Sequence, residues 1–157
     1  MTTGTSEVTA NAEVRAKLDD WAKATRAKDV DGIMASYAQG TLSFDCHSHL
    51  QFKGAEALRK HLEACMPCMQ GPMTFEIHDL DMAAHGDVAF CHYLARYGAT
   101  GLSGEEHAGW LRVTVCLRKV NGAWLIVHDH CSVPFDPQSG KAMLDLEPEE
   151  VGRASAA

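Results

Sequence analysis

The stretch Val120-Asn121-Gly122-Ala123-Trp124-Leu125-Ile126-Val127-His128-Asp129-His130-Cys131-Ser132-Val133-Pro134-Phe135 decides the fold, because an Asn-Gly pair between two long apolar runs specifies a tight hairpin. Asn121 and Gly122 both accept positive φ, as a type I′ turn requires, so Trp110 to Val120 and Ala123 to Val133 are predicted to pair directly. Alternate side chains of a strand share a face. Trp124, Ile126, His128, His130 and Ser132 are therefore expected on one face, and Leu125, Val127, Asp129, Cys131 and Val133 on the other. Both faces are largely apolar, so the strand is expected to be covered on both sides, with the two imidazoles where a dry pocket turns polar.

Upstream of the hairpin, Thr74 to Met82 and Val88 to Gly98 read as strands joined at His85-Gly86-Asp87, and a Gly-rich turn through Gly104 follows. Such short turns leave no room for helical crossovers, so the sheet is predicted to be an antiparallel meander. Earlier still, Val14, Leu18, Trp21, Ala22 and Thr25 recur at helical steps within Glu7 to Ala27. Asp29 suits the N-cap of a short helix through Tyr37, with Ile33, Met34 and Tyr37 inward and Gly40 as its stop. Thr41 to His49 and Leu50 to Lys53 read as two extended pieces, and Gly54 introduces a third helix, Ala55 to Met66, with Leu58, Leu62 and Cys65 aligned. Three helices preceding most of a sheet define an α+β class. The chain reads as a single domain, residues 1–157, with a core of about residues 10–137 and a flexible or surface tail over 138–157.

A chain of 157 residues, 46% hydrophobic, can bury one sizeable core, and a net charge of -7 with no Lys/Arg run argues against nucleic acid or an anionic membrane as partner. No apolar run reaches the roughly 18 residues of a bilayer span. The N-terminal residues lack the basic-then-apolar order of a signal peptide, so a cytoplasmic location is expected. Disulfides are then not needed for the six cysteines. Cys46, Cys91, Cys116 and Cys131 sit singly in strand-like runs and read as small buried hydrophobes, while Cys65 and Cys68 close a helix rather than open one, unlike a redox CxxC.

Trp21, Asp29 to Tyr37, Phe52-Lys53-Gly54, Gly86-Asp87-Val88-Ala89-Phe90 and the run from Gly122 to Phe135, in that order, resemble the SnoaL-like, ketosteroid-isomerase-like branch of the nuclear transport factor 2-like superfamily. The resemblance covers roughly residues 10 to 137. It implies three N-terminal helices in the concave face of a strongly bent, mainly antiparallel sheet, a pocket at the open end, and a homodimer through the outer sheet face. It also implies a small-molecule ligand or substrate. Members include isomerases, polyketide cyclases, epoxide hydrolases, dehydratases and proteins that only bind, so the site must decide the function.

In ketosteroid isomerase a carboxylate moves a proton beside an enolate held by acidic hydrogen-bond donors. Asp45 is the candidate analogue here, on an extended piece where Asp45, His47 and His49 share a face. His128 and His130 are candidates for the accompanying acid and base near neutral pH. Trp21, Tyr37, Tyr93, Trp110, Arg112 and Trp124 are expected to line the pocket, with Arg112 seeking either Asp45 or a ligand carbonyl or anion. These residues indicate a cofactor-independent acid/base enzyme, an isomerase, cyclase or hydratase acting on an apolar carbonyl compound. Two alternatives stand beside it: a non-catalytic ligand-binding accessory protein, and a zinc or non-haem iron enzyme using Asp45, His47 and His49 with His128 and His130.

Overall fold

The computed structural model describes residues 3–149. Helix α1 (Thr3–Arg26) carries the expected apolar stripe, and Val14 and Leu18 on it are 0% exposed. Lys28 takes a positive φ after it, and the Asp29 carboxylate then accepts from Gly32 N–H to cap α2 (Val30–Met34). This second helix is shorter than its sequence pattern predicts. Tyr37 opens strand β1 (Tyr37–Phe44) instead of closing a helix, and Gly40 lies inside that strand. Pairing of Tyr37 with Ile126, and of Ile126 N–H with the Ser36 carbonyl at 2.8 Å, overrides the local helical signal.

Strand β1 ends at Phe44, so Asp45, His47 and His49 do not share a strand face as expected. The reason is local hydrogen bonding. Asp45 Oδ1 accepts from the His47 backbone N–H at 3.0 Å and His49 N–H donates to the His47 carbonyl, which turns the backbone away from any ladder. After this loop come the short β2 (Phe52–Lys53), α3 (Ala55–Cys65) and a single 3-10 turn, Met66–Cys68. Four long strands follow: β3 (Met69–His85), β4 (Val88–Gly101), β5 (Glu106–Val120) and β6 (Ala123–Ser132).

The six strands form one sheet in the order β2-β1-β6-β5-β4-β3. Only β1 and β6 run parallel; every other neighbouring pair is antiparallel. The β5–β6 hairpin turns on Asn121 (φ 50) and Gly122 (φ 82) with Val120 opposite Ala123, so the Asn-Gly reading holds residue for residue. The helices cover one side of the sheet, α1 against β3 and β6, α3 against β1 and β2. Between them and the sheet lies one core, joining Val14, Leu18, Ile33 and Leu58 to Cys91, Tyr93, Val115, Leu117 and Ile126. None of the described helices is long and apolar enough to cross a membrane.

Beyond β6, Asp136 N–H donates to the Lys141 carbonyl and Phe135 bridges to Ala142, which turns the chain back on itself. It then passes so close to β5 that a Cβ at Gly109 would lie 2.7 Å from the Leu144 carbonyl oxygen. Trp110 Nε1–H donates to Glu147 at 3.0 Å. The last part of the expected tail, 150–157, lies outside the described residues.

Because Leu18 is wholly enclosed, Leu18→Ala is expected to lower unfolding free energy by about 2–5 kcal/mol in urea titrations, whereas Val8→Ala on the exposed side of α1 changes it by less than about 0.5 kcal/mol.

Candidate active site

The hairpin contains one irregularity that reorganises the site. Leu117 pairs with Ile126, but the next residue, Cys116, pairs with His128, so Val127 is an extra residue in β6. Such a bulge reverses the in-and-out alternation beyond it. Trp124 and Ile126 still face the helices, but Asp129 and Cys131 now join them, paired with the buried Val115 and Val113. His128, His130 and Ser132 face the opposite, outer side, paired with Cys116, Thr114 and Arg112. The expectation that both imidazoles share the face of Trp124 is therefore corrected, and Asp129, which the uninterrupted alternation turns away, is an interior residue.

Inside, Asp129 is largely buried. Tyr37 Oη–H donates to Asp129 Oδ2 at 2.7 Å, and the Ser43 hydroxyl, beside it across the parallel β1–β6 ladder, also favours its charged form. Oδ1 is buried and makes no hydrogen bond of ordinary geometry, so Ser43 acts on the carboxylate without closing one there. Burial pushes the Asp129 carboxyl above the usual carboxylate range, and the negative charge of Asp45 adds to that; the hydroxyls and His128 pull the other way without prevailing. Burial also raises Tyr37 well above an ordinary phenol, helped by the Asp129 charge, so its hydroxyl stays a donor. Tyr93, buried beside them, is raised for the same first reason. Trp21 packs edge-on against Phe75, with ring centroids 5.1 Å apart, and its buried Nε1–H acts on the Tyr37 hydroxyl without closing a hydrogen bond of ordinary geometry.

At the end of this inner face the 45–51 loop gathers a second set of groups. His47 Nδ1 lies 3.0 Å from Asp45 Oδ1 and His61 Nε2 lies 3.6 Å from Asp45 Oδ2. Burial would raise Asp45, yet its hydrogen bonds from His47 outweigh that and hold it below its ordinary value. The same carboxylate, with Cys46, lifts His47 to about 10. His61, on α3, is enclosed: its side chain is 11% exposed and stacks on Phe52 at 4.4 Å. Cys46 and Cys131, read separately as isolated buried thiols, bring their sulfurs to 3.7 Å. Two carboxylates whose surroundings push their proton affinities in opposite directions thus share one end of the interior, a pattern that separates acid from base roles.

The remaining sequence candidates distribute unevenly. Trp124 is interior, but its Nε1–H is taken by Glu13 at 2.8 Å beneath α1. Trp110 and Arg112 stand on the outer face, Trp110 edge-on to His78, so Arg112 does not pair with Asp45. His128 Nδ1–H donates to the Leu42 carbonyl at 2.7 Å, and both outer imidazoles meet the Phe44 ring edge-on. The proposed metal set is consequently split across the sheet: Asp45 and His47 lie on the loop, His49 leans on Phe52, and His128 and His130 are on the outer side. Asp45, Cys46 and His47 do place ligand-type atoms within 4.8 Å of one another. On the outer face an open cavity of about 460 Å³ is lined by His92, Leu94, Arg112, Thr114, His130 and Ser132, among others.

Residues 14–136 match the SnoaL-like domain family, and the chain belongs to that family. It is similar to an NTF2-like protein of unknown function from Pseudomonas putida KT2440, at 40% identity and a TM-score of 0.83, covering 90% of this chain and 98% of that one. More distant structures share the fold: a proposed dehydratase of the NTF2-like family from Streptomyces avermitilis, at 12% identity and TM-score 0.73, covering 80% of this chain and 97% of that one; and a ketosteroid isomerase-like protein from Erwinia carotovora atroseptica, at 18% and 0.67, covering 77% and 93%. No curated protein matches the chain by sequence.

The raised Asp129 carboxyl has a consequence for stability. The folded chain holds this proton more tightly than the unfolded one, so Asp129 contributes stability that is complete below its unfolded value, near pH 3.9, and is lost as pH rises through the folded value. Urea midpoints of Asp129→Asn are therefore expected to gain on wild type as pH rises from about 4 towards 7. Parallel curves would mean that Asp129 titrates as an ordinary surface carboxylate.

Proposed function

We propose that this protein is a cofactor-independent acid/base enzyme that moves a proton at an apolar, carbonyl-containing small molecule, by isomerisation, cyclisation or hydration. The observation that carries this reading is Asp129: an interior carboxylate with raised proton affinity, one oxygen held by Tyr37 at 2.7 Å and the other without a hydrogen bond of ordinary geometry. Oδ1 is the atom that takes a proton from carbon next to a carbonyl and returns it elsewhere. The indole N–H of Trp21, which acts on the Tyr37 hydroxyl, and the protonated hydroxyl of Tyr93 supply donors for the developing oxyanion. Asp45, held charged by His47, serves the polar end of the substrate at the loop.

The test is exchange of deuterium from D2O into the α-carbon of an apolar ketone, with 2-tetralone as first probe, followed by proton NMR. Wild type is expected to accelerate exchange over buffer, and Asp129→Asn to lose about 10²–10⁴-fold of that rate. Tyr37→Phe loses less. Acceleration that survives Asp129→Asn would remove the assignment.

A second reading, ligand binding without turnover, is favoured by the outer cavity, where Arg112 has no acceptor among the described residues. That same outer face is also our proposed dimer surface, because Val88 and Phe90 on it are 53% and 52% exposed. Light scattering is expected to give the mass of two chains for wild type and of one for Phe90→Glu, with unchanged circular dichroism.

A further inference from the structure

We propose that Cys46 and Cys131 form a reversible thiol–disulfide pair, in which Cys46 is the oxidant-reactive sulfur and Cys131 the resolving one. The two residues are 85 positions apart in sequence, yet their sulfurs stand 3.7 Å from each other, with the Cys131 thiol donating to Cys46. His47 Nδ1 lies 3.4 Å from the Cys46 sulfur and is itself held by Asp45 Oδ1 at 3.0 Å. This places an anchored imidazolium beside the thiolate. Three of the other four thiols are engaged differently: Cys65, Cys68 and Cys91 donate to the carbonyls of Leu62, Ala64 and Val115. The electrostatics agree, since the Cys131 hydrogen bond and then His47 draw Cys46 down to about 6, while Cys131 is pushed up.

The oxidant is of the hydroperoxide class. The Cys46 thiolate attacks the outer peroxide oxygen; an S–O bond forms, the O–O bond breaks, and the departing alkoxide takes a proton from His47 and leaves as an alcohol, or as water from hydrogen peroxide. Cys46 is then a sulfenic acid, oxidised by two electrons. The Cys131 sulfur, giving up its proton, attacks the Cys46 sulfur; the S–S bond forms, the S–O bond breaks, and hydroxide leaves with that proton as water. Two equivalents of an external thiol return both residues to thiols through a mixed disulfide and leave as their own disulfide. Closing the sulfurs from 3.7 Å to a bond of about 2.05 Å asks for a small shift, and Cys46 stands in the bent segment after β1 rather than in a ladder. Once formed, the bond fastens that loop to β6 two residues beyond Asp129. The pair does not depend on the proton-transfer reading of the interior.

The experiment is peptide mapping. Reduced protein is treated with hydrogen peroxide, blocked with N-ethylmaleimide and cut with trypsin without reductant. Residues 29–53 and 120–141 are separate tryptic peptides with one cysteine each. The expected product joins them, with a loss of two hydrogens, and forms before exposed Cys68 is consumed. Cys131→Ser is expected to leave Cys46 as a sulfenic acid that dimedone traps, and Cys46→Ser to abolish the fast reaction. Circular dichroism reports whether each variant folds, and the wild-type map stands without them. Fully alkylated Cys46 and Cys131 after peroxide, a bond between other cysteines, or dimedone at a cysteine other than Cys46 would overturn the proposal.

Discussion

Val127 has no partner on β5, and the interior depends on that one unpaired residue. Without it, the alternation begun at Trp124 would continue, turning His128 and His130 towards the helices and Asp129 and Cys131 away from them. With it, a carboxylate and a thiol enter the apolar side of the sheet and two imidazoles leave it. The exchange is coherent because β1 runs parallel to β6 and places Ser43 next to Asp129 and Leu42 next to His128. Ser43 and the Tyr37 hydroxyl can answer a buried carboxylate; the Leu42 carbonyl can answer an imidazole N–H.

Much of the architecture was legible in local sequence. The stripe of Val14 and Leu18, the Asp29 cap and the Asn121-Gly122 turn all act through neighbours a few residues away, and each appears where it was read. Tyr37 was not placed correctly, because its conformation is set by a partner strand nearly ninety residues later. The 45–51 loop was misread as extended for the opposite reason: Asp45 satisfies the backbone N–H of His47 itself, an interaction too local for a two-residue periodicity to show.

The residues of the proposed site were legible in part. Trp21, Tyr37, Tyr93 and Asp45 were named from sequence and lie on the interior or at its end. Asp129 was missed because its exposure was inferred from parity, and parity fails at a bulge. The available signal was Asp129 itself: an acid in the middle of a strand expected to be covered on both sides, which burial makes costly unless hydroxyls meet it. The Cys46–Cys131 approach had no local signal at all, since it follows from the parallel pairing of β1 with β6.

The strand order carries a consequence for synthesis. β6 lies between β1 and β5, so a growing chain that has not yet delivered residues 123–132 holds two strand edges whose backbone groups lack their ladder partners. Closure must wait until residues 123–132 have left the ribosome, and until then β1 is open to pairing with foreign strands. Contacts of such long sequence separation make for slow folding. The position of β6 thus sets how long the edges of β1 and β5 stay open.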